Sequence, residues 1–346
     1  MPVTNIDDLF VPEVCAEYAN KAFVQSLGLY GLMGPEGSGA PIELMGDPVI
    51  EVEGQYKQRP VLDRVGTTLV ARADITSNSS VTPVKMTGSN EQMVKIHRRI
   101  GPVDFSYNVP IVTKADGEML SRALGEQAGQ ELALNYQDSI LSMLNGIADA
   151  MTATAHTYTV WAAATRTNLA PSVLNGGLAL MGDRREFFKR TAKIVTRSEC
   201  AVDLQNDGIS RAYPNVGDRA LAGARNTNTL GMGDPVEIDS SKLTVADAGF
   251  DKYITLLIGA ACAQLQFVQP MKIYPLLNIL DQEQALYRWR ADSAALLGAH
   301  GMSYNSGAGG ANPTDTNLAS SANWTVVYSQ AREVQLCKLI HNMSSN

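Results

Sequence analysis

The residues that could carry chemistry are few and lie far apart along the chain. A zinc site needs clustered ligands, and no H-x-x-x-H, H-E-x-x-H or C-x-x-C spacing occurs. The sequence also lacks a G-x-S-x-G nucleophile turn and a phosphate-binding or dinucleotide-binding glycine loop. We therefore predict no catalytic residues, no metal site, no cofactor and no enzyme activity. The histidines and cysteines behind this prediction are His97, His156, His300, His341, Cys15, Cys200, Cys262 and Cys337.

One covalent reaction stays open as an alternative. Lys57, Lys85 and Lys95 lie on or near a predicted hairpin, from which a lysine could form an isopeptide bond with an asparagine of a neighbouring copy. The reaction needs a buried glutamate beside the two residues to move the proton. The sequence alone does not show whether such a glutamate is present.

The composition is that of a globular protein with little affinity for phosphate. The chain has 346 residues, enough for one large or two intertwined domains, with 45% hydrophobic and 18% charged residues. Its net charge of −7 disfavours a nucleic-acid clamp, which needs an excess of lysine and arginine.

The sequence also predicts where the protein is made and the state of its cysteines. The N-terminus has no secretory-signal pattern, and no apolar stretch reaches the roughly 20 residues of a membrane span. We expect a soluble protein in a reducing cytosol, without disulfides. Cys262 lies in an apolar run and should be buried, Cys200 and Cys337 should be partly buried, and Cys15 should be the most accessible thiol.

The first half of the chain predicts a helix, an arm, a hairpin and a long helix. Pro12 suits the start of a short helix, and the glycines between residues 28 and 39 suggest a flexible arm. Residues 48–112 alternate with period two, which predicts two long strands around a polar tip at 76–90. Residues 114–149 predict one long helix, with a bend or a close contact at Gly125 and Gly129. Its apolar face comprises Leu120, Leu124, Tyr136, Ile140, Leu144 and Ile147.

The second half predicts a more mixed order of elements. A helix interrupted at Gly176–Gly177 is followed by a strand and a short helix, and residues 250–268 read as a buried strand with a following apolar turn. Residues 281–305 read as a charged, exposed stretch, and "GANPTDTNLASSANW" at 310–324 as a flexible loop before a final strand. The basic segment "KIHRRIGP" favours contacts between subunits, with acidic residues such as Glu51 and Glu53. The segment "GDRREFFKR", in which acidic residues are interleaved, suits a solvated surface or a subunit contact.

This order of elements resembles the major capsid protein fold of tailed bacteriophages, which encapsulin shells and the floor of herpesvirus capsids share. Three stretches carry the similarity: "LAPSVLNGGLALMGDRREFFKRTAKIVTRSECAVDLQNDG", "FDKYITLLIGAACAQLQFVQP" and the segment from "GAHGMSYN" to "KLIHN". The resemblance implies an α+β fold with an N-terminal arm over 1–47, E-loop hairpin and peripheral-domain strands over 48–112, a spine helix over 113–150, an axial domain with returning segments over 151–325 and a closing strand of the peripheral domain over 326–346.

The resemblance also implies the function and the partners. It implies a structural protein that self-assembles as hexamers and pentamers into the icosahedral shell around a phage double-stranded DNA genome, in the host bacterial cytoplasm. The implied partners are other copies of the chain, a portal protein, a decoration protein where the shell carries one, and packaged DNA without sequence-specific contacts, but no membrane. Because no fused scaffolding domain precedes residue 48, a separate scaffolding protein is implied. Trp324 would anchor the closing strand.

Two other classes of function remain at this point. An encapsulin-type compartment shell uses the same fold, and a neighbouring gene for a cargo enzyme would indicate it. An enzyme on an unrelated fold is the third class, and the lack of any polar constellation argues against it.

Overall fold

The structure is a computed structural model that describes residues 11–46, 56–62, 88–106, 117–151, 156–162, 166–212, 229–247, 249–280, 285–328 and 331–343. Seven α-helices within these ranges are α1 Pro12–Ser26, α2 Gly117–Ala150, α3 Pro171–Leu180, α4 Arg185–Thr191, α5 Ser198–Ala212, α6 Ser306–Gly309 and α7 Asp315–Ala319. The strands are β1 Met33–Pro35, β2 Ile42–Leu44, β3 Tyr56–Leu62, β4 Gly88–Ser106, β5 Thr157–Thr159, β6 Lys193–Thr196, β7 Val236–Glu237, β8 Thr244–Val245, β9 Lys252–Ile258, β10 Ala263–Leu280, β11 Ala285–Ala299, β12 Met302–Tyr304, β13 Trp324–Val326 and β14 Leu336–His341.

The first sheet is built on three long strands. Its order is β1-β2-β10-β11-β4-β3. The pairs β10–β11, β11–β4 and β4–β3 are antiparallel, whereas β2 pairs in parallel with both β1 and β10. Strand β3 pairs with the start of β4, from Tyr56 opposite Val94 to Leu62 opposite Gly88. Of the two predicted hairpin strands, the second overlaps β4, and the first, at 63–75, lies outside the described residues. The hairpin tip at 76–87, Lys85, Glu51 and Glu53 lie outside the described residues.

The structure corrects two predictions about the strands of the second half. The apolar run at 250–268 contains the predicted buried strand, β9, and a turn at 259–262, with Ala261 at a φ of 51°, but it then enters a second strand, β10, which lies in the other sheet. The stretch at 281–305 holds β11, a central strand. Its residues alternate between a buried face with Trp289 and a half-exposed face with Arg288. The charged residues therefore lie on one face of an ordinary strand with a period of two.

Helix α2 packs its apolar face against this sheet. Tyr136, Ile140, Leu144 and Ile147 are at most 1% exposed, which confirms the predicted face, while Leu124 packs at its partly buried edge. The Tyr136 ring meets the rings of Phe23 and Phe267 edge-on, with centroids 5.8 and 5.9 Å apart. Helix α2 therefore links α1 to β10 through one aromatic cluster.

The glycines of α2 allow α1 to lie directly on its backbone. A Cβ at Gly125 would collide with the backbone oxygen of Cys15, and one at Gly129 with that of Ala19. The predicted close contact at these glycines is confirmed. Cys15 is 0% exposed as a result, so the prediction that it is the most accessible thiol is wrong.

The second sheet has the order β5-β14-β9-β6-β7, and β8 pairs with β9. The final strand, β14, lies inside this sheet, antiparallel to β9 and parallel to β5. It therefore does not complete the sheet of the E-loop hairpin, as the sequence had suggested. Helix α3 packs on β14 without the predicted interruption, because Gly177 makes room for the Leu339 side chain.

The glycine-rich arm and the late polar segment are both packed, contrary to prediction. Leu29 and Ile42 in the arm are at most 1% exposed. In the late segment Thr314 caps α7 by accepting a hydrogen bond from Asn317 N. Trp324 is 4% exposed and donates to Leu318 O at 2.8 Å, so the predicted burial of its ring is confirmed. It lies in β13 and pairs with β12 rather than anchoring the final strand, β14, which lies in the second sheet.

We predict that Ile140→Asp abolishes soluble, folded protein. The substitution leaves an unpaired charge in the core, at a cost of at least about 3 kcal/mol. The matched control is Leu134→Asp on the same helix, because Leu134 is 49% exposed and Ile140 only 1%. Soluble yield and urea unfolding measure the difference. Equal behaviour of the two variants would contradict the assigned face of α2.

Candidate assembly surfaces

The four histidines lie in separate places rather than in one site. His341 is buried in the second sheet, His156 is buried beside Leu336, His97 is exposed on β4, and His300 follows β11. Within the described ranges, no group of three or more His, Cys, Asp or Glu residues is placed to hold a metal ion. None of the helices in those ranges combines the length and apolar character of a membrane span.

His341 is held as a neutral ring by a buried hydrogen-bond chain. Its Nδ1 donates to Asn342 O at 2.7 Å, and its Nε2 accepts from Thr255 Oγ1 at 2.9 Å. Thr255 Oγ1 in turn lies 2.7 Å from Thr196 Oγ1. Burial lowers the pKa of His341 to about 4, because no solvent stabilises a charged ring there. The chain ties β14, β9 and β6 together and serves the fold.

The cysteines are packing residues. All four are free and buried, which confirms the expectation for Cys262. Burial raises the pKa of each thiol to about 12, so the reactive thiolate is suppressed. Cys200 and Cys337 are at most 1% exposed, more deeply buried than the sequence suggested.

The exposed face of the long sheet carries a row of ion pairs between neighbouring strands. Asp292 on β11 pairs with Arg99 on β4 at 2.6 Å and with Arg290 at 3.2 Å. Farther along, Arg288 donates to both carboxylate oxygens of Asp104, at 2.5 and 2.6 Å. Each exposed pair contributes only about 0–1 kcal/mol, so these pairs fix the register of β4 on β11 more than they stabilise the fold.

The opposite face of β4 joins the sheet to α2 and α7. Arg98 donates to Asn135 Oδ1 at 2.5 Å and to Ser139 Oγ at 2.8 Å, and its guanidinium lies 3.5 Å from Asp315. Lys242 approaches the same carboxylate at 3.3 Å. The basic segment on β4 thus has partners within its own copy, which its sequence did not indicate.

The base of the hairpin is fixed by two buried glutamates. Glu91 on β4 accepts a hydrogen bond from Gly301 N at 2.5 Å, and Glu43 on β2 accepts one from Gly37 N at 3.1 Å. His300 lies between them, with Nε2 3.2 Å from Glu43 Oε2 and Nδ1 3.8 Å from Glu91 Oε2. This cluster connects the N-terminal strands, the hairpin and the turn after β11. Glu91 is 1% exposed, and cross-linking through a lysine of the hairpin remains the open alternative that the sequence left.

The described residues thus form long strand surfaces that carry charged side chains. Residues 36–334 match the family model described as Major capsid protein 13-like. The chain belongs to this family of major capsid proteins. No curated protein matches its sequence.

Solved capsids share the fold at low sequence identity. The capsid of cyanophage Pam1 aligns with a TM-score of 0.55 and 10% identity, over 93% of this chain and 94% of the other. The capsid of Ralstonia phage GP4 gives 0.54 and 11%, over 93% and 91%. The acid-stable capsid of Helicobacter pylori bacteriophage KHP30 gives 0.52 and 9%, over 92% and 91%. The predicted tailed-phage capsid fold is therefore confirmed.

The capsid protein does structural work in the virion shell, as the resemblance implied. The encapsulin alternative is not favoured, because both the family and the structural relatives are phage capsids. The sequence reading missed the inter-strand ion pairs of Asp292 and Asp104. One pattern in the sequence does indicate a strand with a charged face, since charged and apolar residues alternate over 288–292. The charged ones are Arg288, Arg290 and Asp292, and the apolar ones are Trp289 and Ala291.

We predict that the capsid protein loses stability between pH 6.5 and about 4 through His341. Its pKa is lowered to about 4 in the folded chain, so the unfolded chain binds the proton more readily across this window. The contribution is fully present above pH 6.5 and is lost as the pH falls, by about 3 kcal/mol in total.

Denaturant unfolding of the unassembled chain across this pH range tests the prediction. His341→Gln should be less stable at pH 7 but should show a flatter decline towards pH 4. The control is His97→Gln on the exposed face of β4, which should change the decline far less. Parallel curves for His341→Gln and the unmodified chain would show that another group controls the acid response.

Proposed function

We propose that this capsid protein assembles as hexamers and pentamers into the icosahedral head of a tailed phage and encloses its double-stranded DNA. The observation that carries the proposal is the family match over residues 36–334. The order of the described elements supports it, since a long helix lies against a sheet of long strands and a separate sheet follows.

The charge of the chain supports packaging without sequence-specific DNA contacts. A net charge of −7 repels the phosphates of DNA, so a shell built from this chain would bind packaged DNA only weakly. The described arginines Arg98, Arg99 and Arg288 have carboxylate partners in the same copy. These three guanidinium groups are therefore already engaged within the copy that carries them.

The domain division forms part of the proposal, with one revision. We assign the N-terminal arm to 1–47, the E-loop region to 48–112 and the spine helix to 113–150. The axial domain takes 151–325 and also the final strand, because β14 pairs with β5 and β9. Proposed partners are further copies of the chain, a separate scaffolding protein, a portal protein and a decoration protein where the shell carries one, with assembly in the host bacterial cytoplasm.

Electron microscopy of the purified full-length chain tests the proposal. We expect shells, rings or tubes by negative staining, either from the chain alone or after co-expression with the genes beside it. Class averages with six-fold and five-fold symmetry would support hexamers and pentamers. A monodisperse monomer under both conditions would contradict self-assembly.

We predict that deleting residues 78–88 leaves soluble protein that assembles badly. The tip sequence has too few apolar residues to pack on a core of its own, so we assign it to contacts between copies. A variant with the same residues in scrambled order controls for hairpin length. The measurement is the shell fraction in sedimentation against the soluble yield. A normal shell fraction from the deletion variant would show that the hairpin tip is not needed for contacts between copies.

A further inference from the structure

The long sheet leaves two long strand edges without a described neighbour. Strand β10 runs over Ala263–Leu280, but β2 pairs only with Ala263–Leu265. Strand β4 runs over Gly88–Ser106, but β3 pairs with it only as far as Val94. An open edge presents a row of backbone N–H and C=O groups to which a strand of another chain can pair.

Prolines mark these open edges. Among the described strands, the outermost β1 and β3 contain Pro35 and Pro60. The open part of β4 contains Pro102, and that of β10 contains Pro270 and Pro275. Strand β11 has neighbours on both sides and contains no proline. This distribution has a physical reason, because proline has no N–H to donate and is tolerated only where no ladder bond is needed.

Register shifts add to the effect of the prolines on β10. The pairing of β10 with β11 shifts between Phe267 and Gln269, between Gln269 and Lys272, and between Pro275 and Leu277. Each shift bends the strand and interrupts the even spacing of its edge groups. A straight incoming strand could therefore match only short pieces of this edge.

A side chain occupies the edge of β4 just beyond the end of β3. His97 N donates to Asn312 Oδ1 at 2.8 Å, three residues after the last pair with β3. Asn312 has a φ of 50°, a left-handed conformation that asparagine tolerates better than most residues. The loop that carries Asn312 thus takes an edge N–H that another strand could otherwise use.

The second sheet gives an internal comparison. Its outer strands β5 and β7 have three and two residues and contain no proline. Strands this short offer too few edge groups for a stable added strand. The long edges of β3, β4 and β10, where strand addition is a hazard, all contain proline, and so does the short outer strand β1.

We infer that the edge prolines, with Asn312, prevent copies of the capsid protein from joining edge to edge into a continuous sheet. The inference rests on the proposed self-assembly, which brings many identical edges close together. Strand addition between unlike edges is a head-to-tail contact, which leads to filaments wherever its rotation does not close a ring. Neighbouring copies then meet through side chains on the faces of the sheet, where geometry can close a shell.

The test replaces two edge prolines in the full-length chain, as Pro60→Thr with Pro275→Thr. We expect loss of shells and the appearance of sheet-joined polymers, detected by thioflavin T fluorescence, by an intermolecular β-sheet infrared band and by negative staining. The control is Pro12→Thr, which removes a proline from the first turn of α1 rather than from a strand. It should behave like the unmodified chain.

A second double variant separates edge joining from unfolding. Pro60→Lys with Pro275→Lys restores the same N–H groups but places a charge on each edge, which also blocks strand addition. We expect this variant to form no polymer. Polymers from both double variants, or from neither, would overturn the inference. Polymer formation is measured whether or not the unmodified chain forms shells, so failure of the proposed function would be recognised separately.

Discussion

The contact on which the rest of the structure depends is the close approach of other backbone segments to α2. A glycine in a helix costs about 1 kcal/mol relative to alanine, so glycines are kept there for a reason. Gly125 and Gly129 lie under the backbone of α1, and Gly146 lies under that of Leu318 in α7. The helix thus receives α1 near one end and the late polar segment near the other, while Tyr136 between them packs against Phe267 of the long sheet.

The sequence predicts those parts of the fold whose pattern of apolar and polar residues is contained within one segment. Helix α2, the strand β4 and the sequence from β6 to α5 carry their own periodicity, and the structure has them as expected. Gly176 and Gly177 were misread as a break, because the partners that require small residues there, Tyr158 and Leu339, are distant in sequence. The neighbours of β14 could not be predicted either, since strand pairing depends on registers between remote segments.

The surfaces were less predictable than the fold. The family resemblance implied an assembling protein, but residues that face neighbours carry no local signature distinguishing them from solvated ones. The charged side chains in 281–305 suggest an exposed stretch, but charged and apolar residues alternate there as they do in a strand. The structure has the central strand β11 in this stretch. Cys15 was misjudged for a related reason. Cys15, Ala19 and Ala22 form a stripe of small residues, and their fit against Gly125 and Gly129 is visible only when the two helices are considered together.

Both faces of the long sheet hold its long strands in register, the inner face by burial of apolar side chains and the outer face by ion pairs. On the inner face Trp289 and Ala291 are at most 2% exposed, so a slip of one residue would bring charged side chains into the core. On the outer face Asp292 and Asp104 hold arginines of neighbouring strands, and a slip would separate each pair. Weak ion pairs are sufficient there, because burial on the inner face already makes slippage costly. The outer face can therefore stay polar enough for an unassembled copy to remain soluble, while its strands keep one fixed geometry for contact with the next copy.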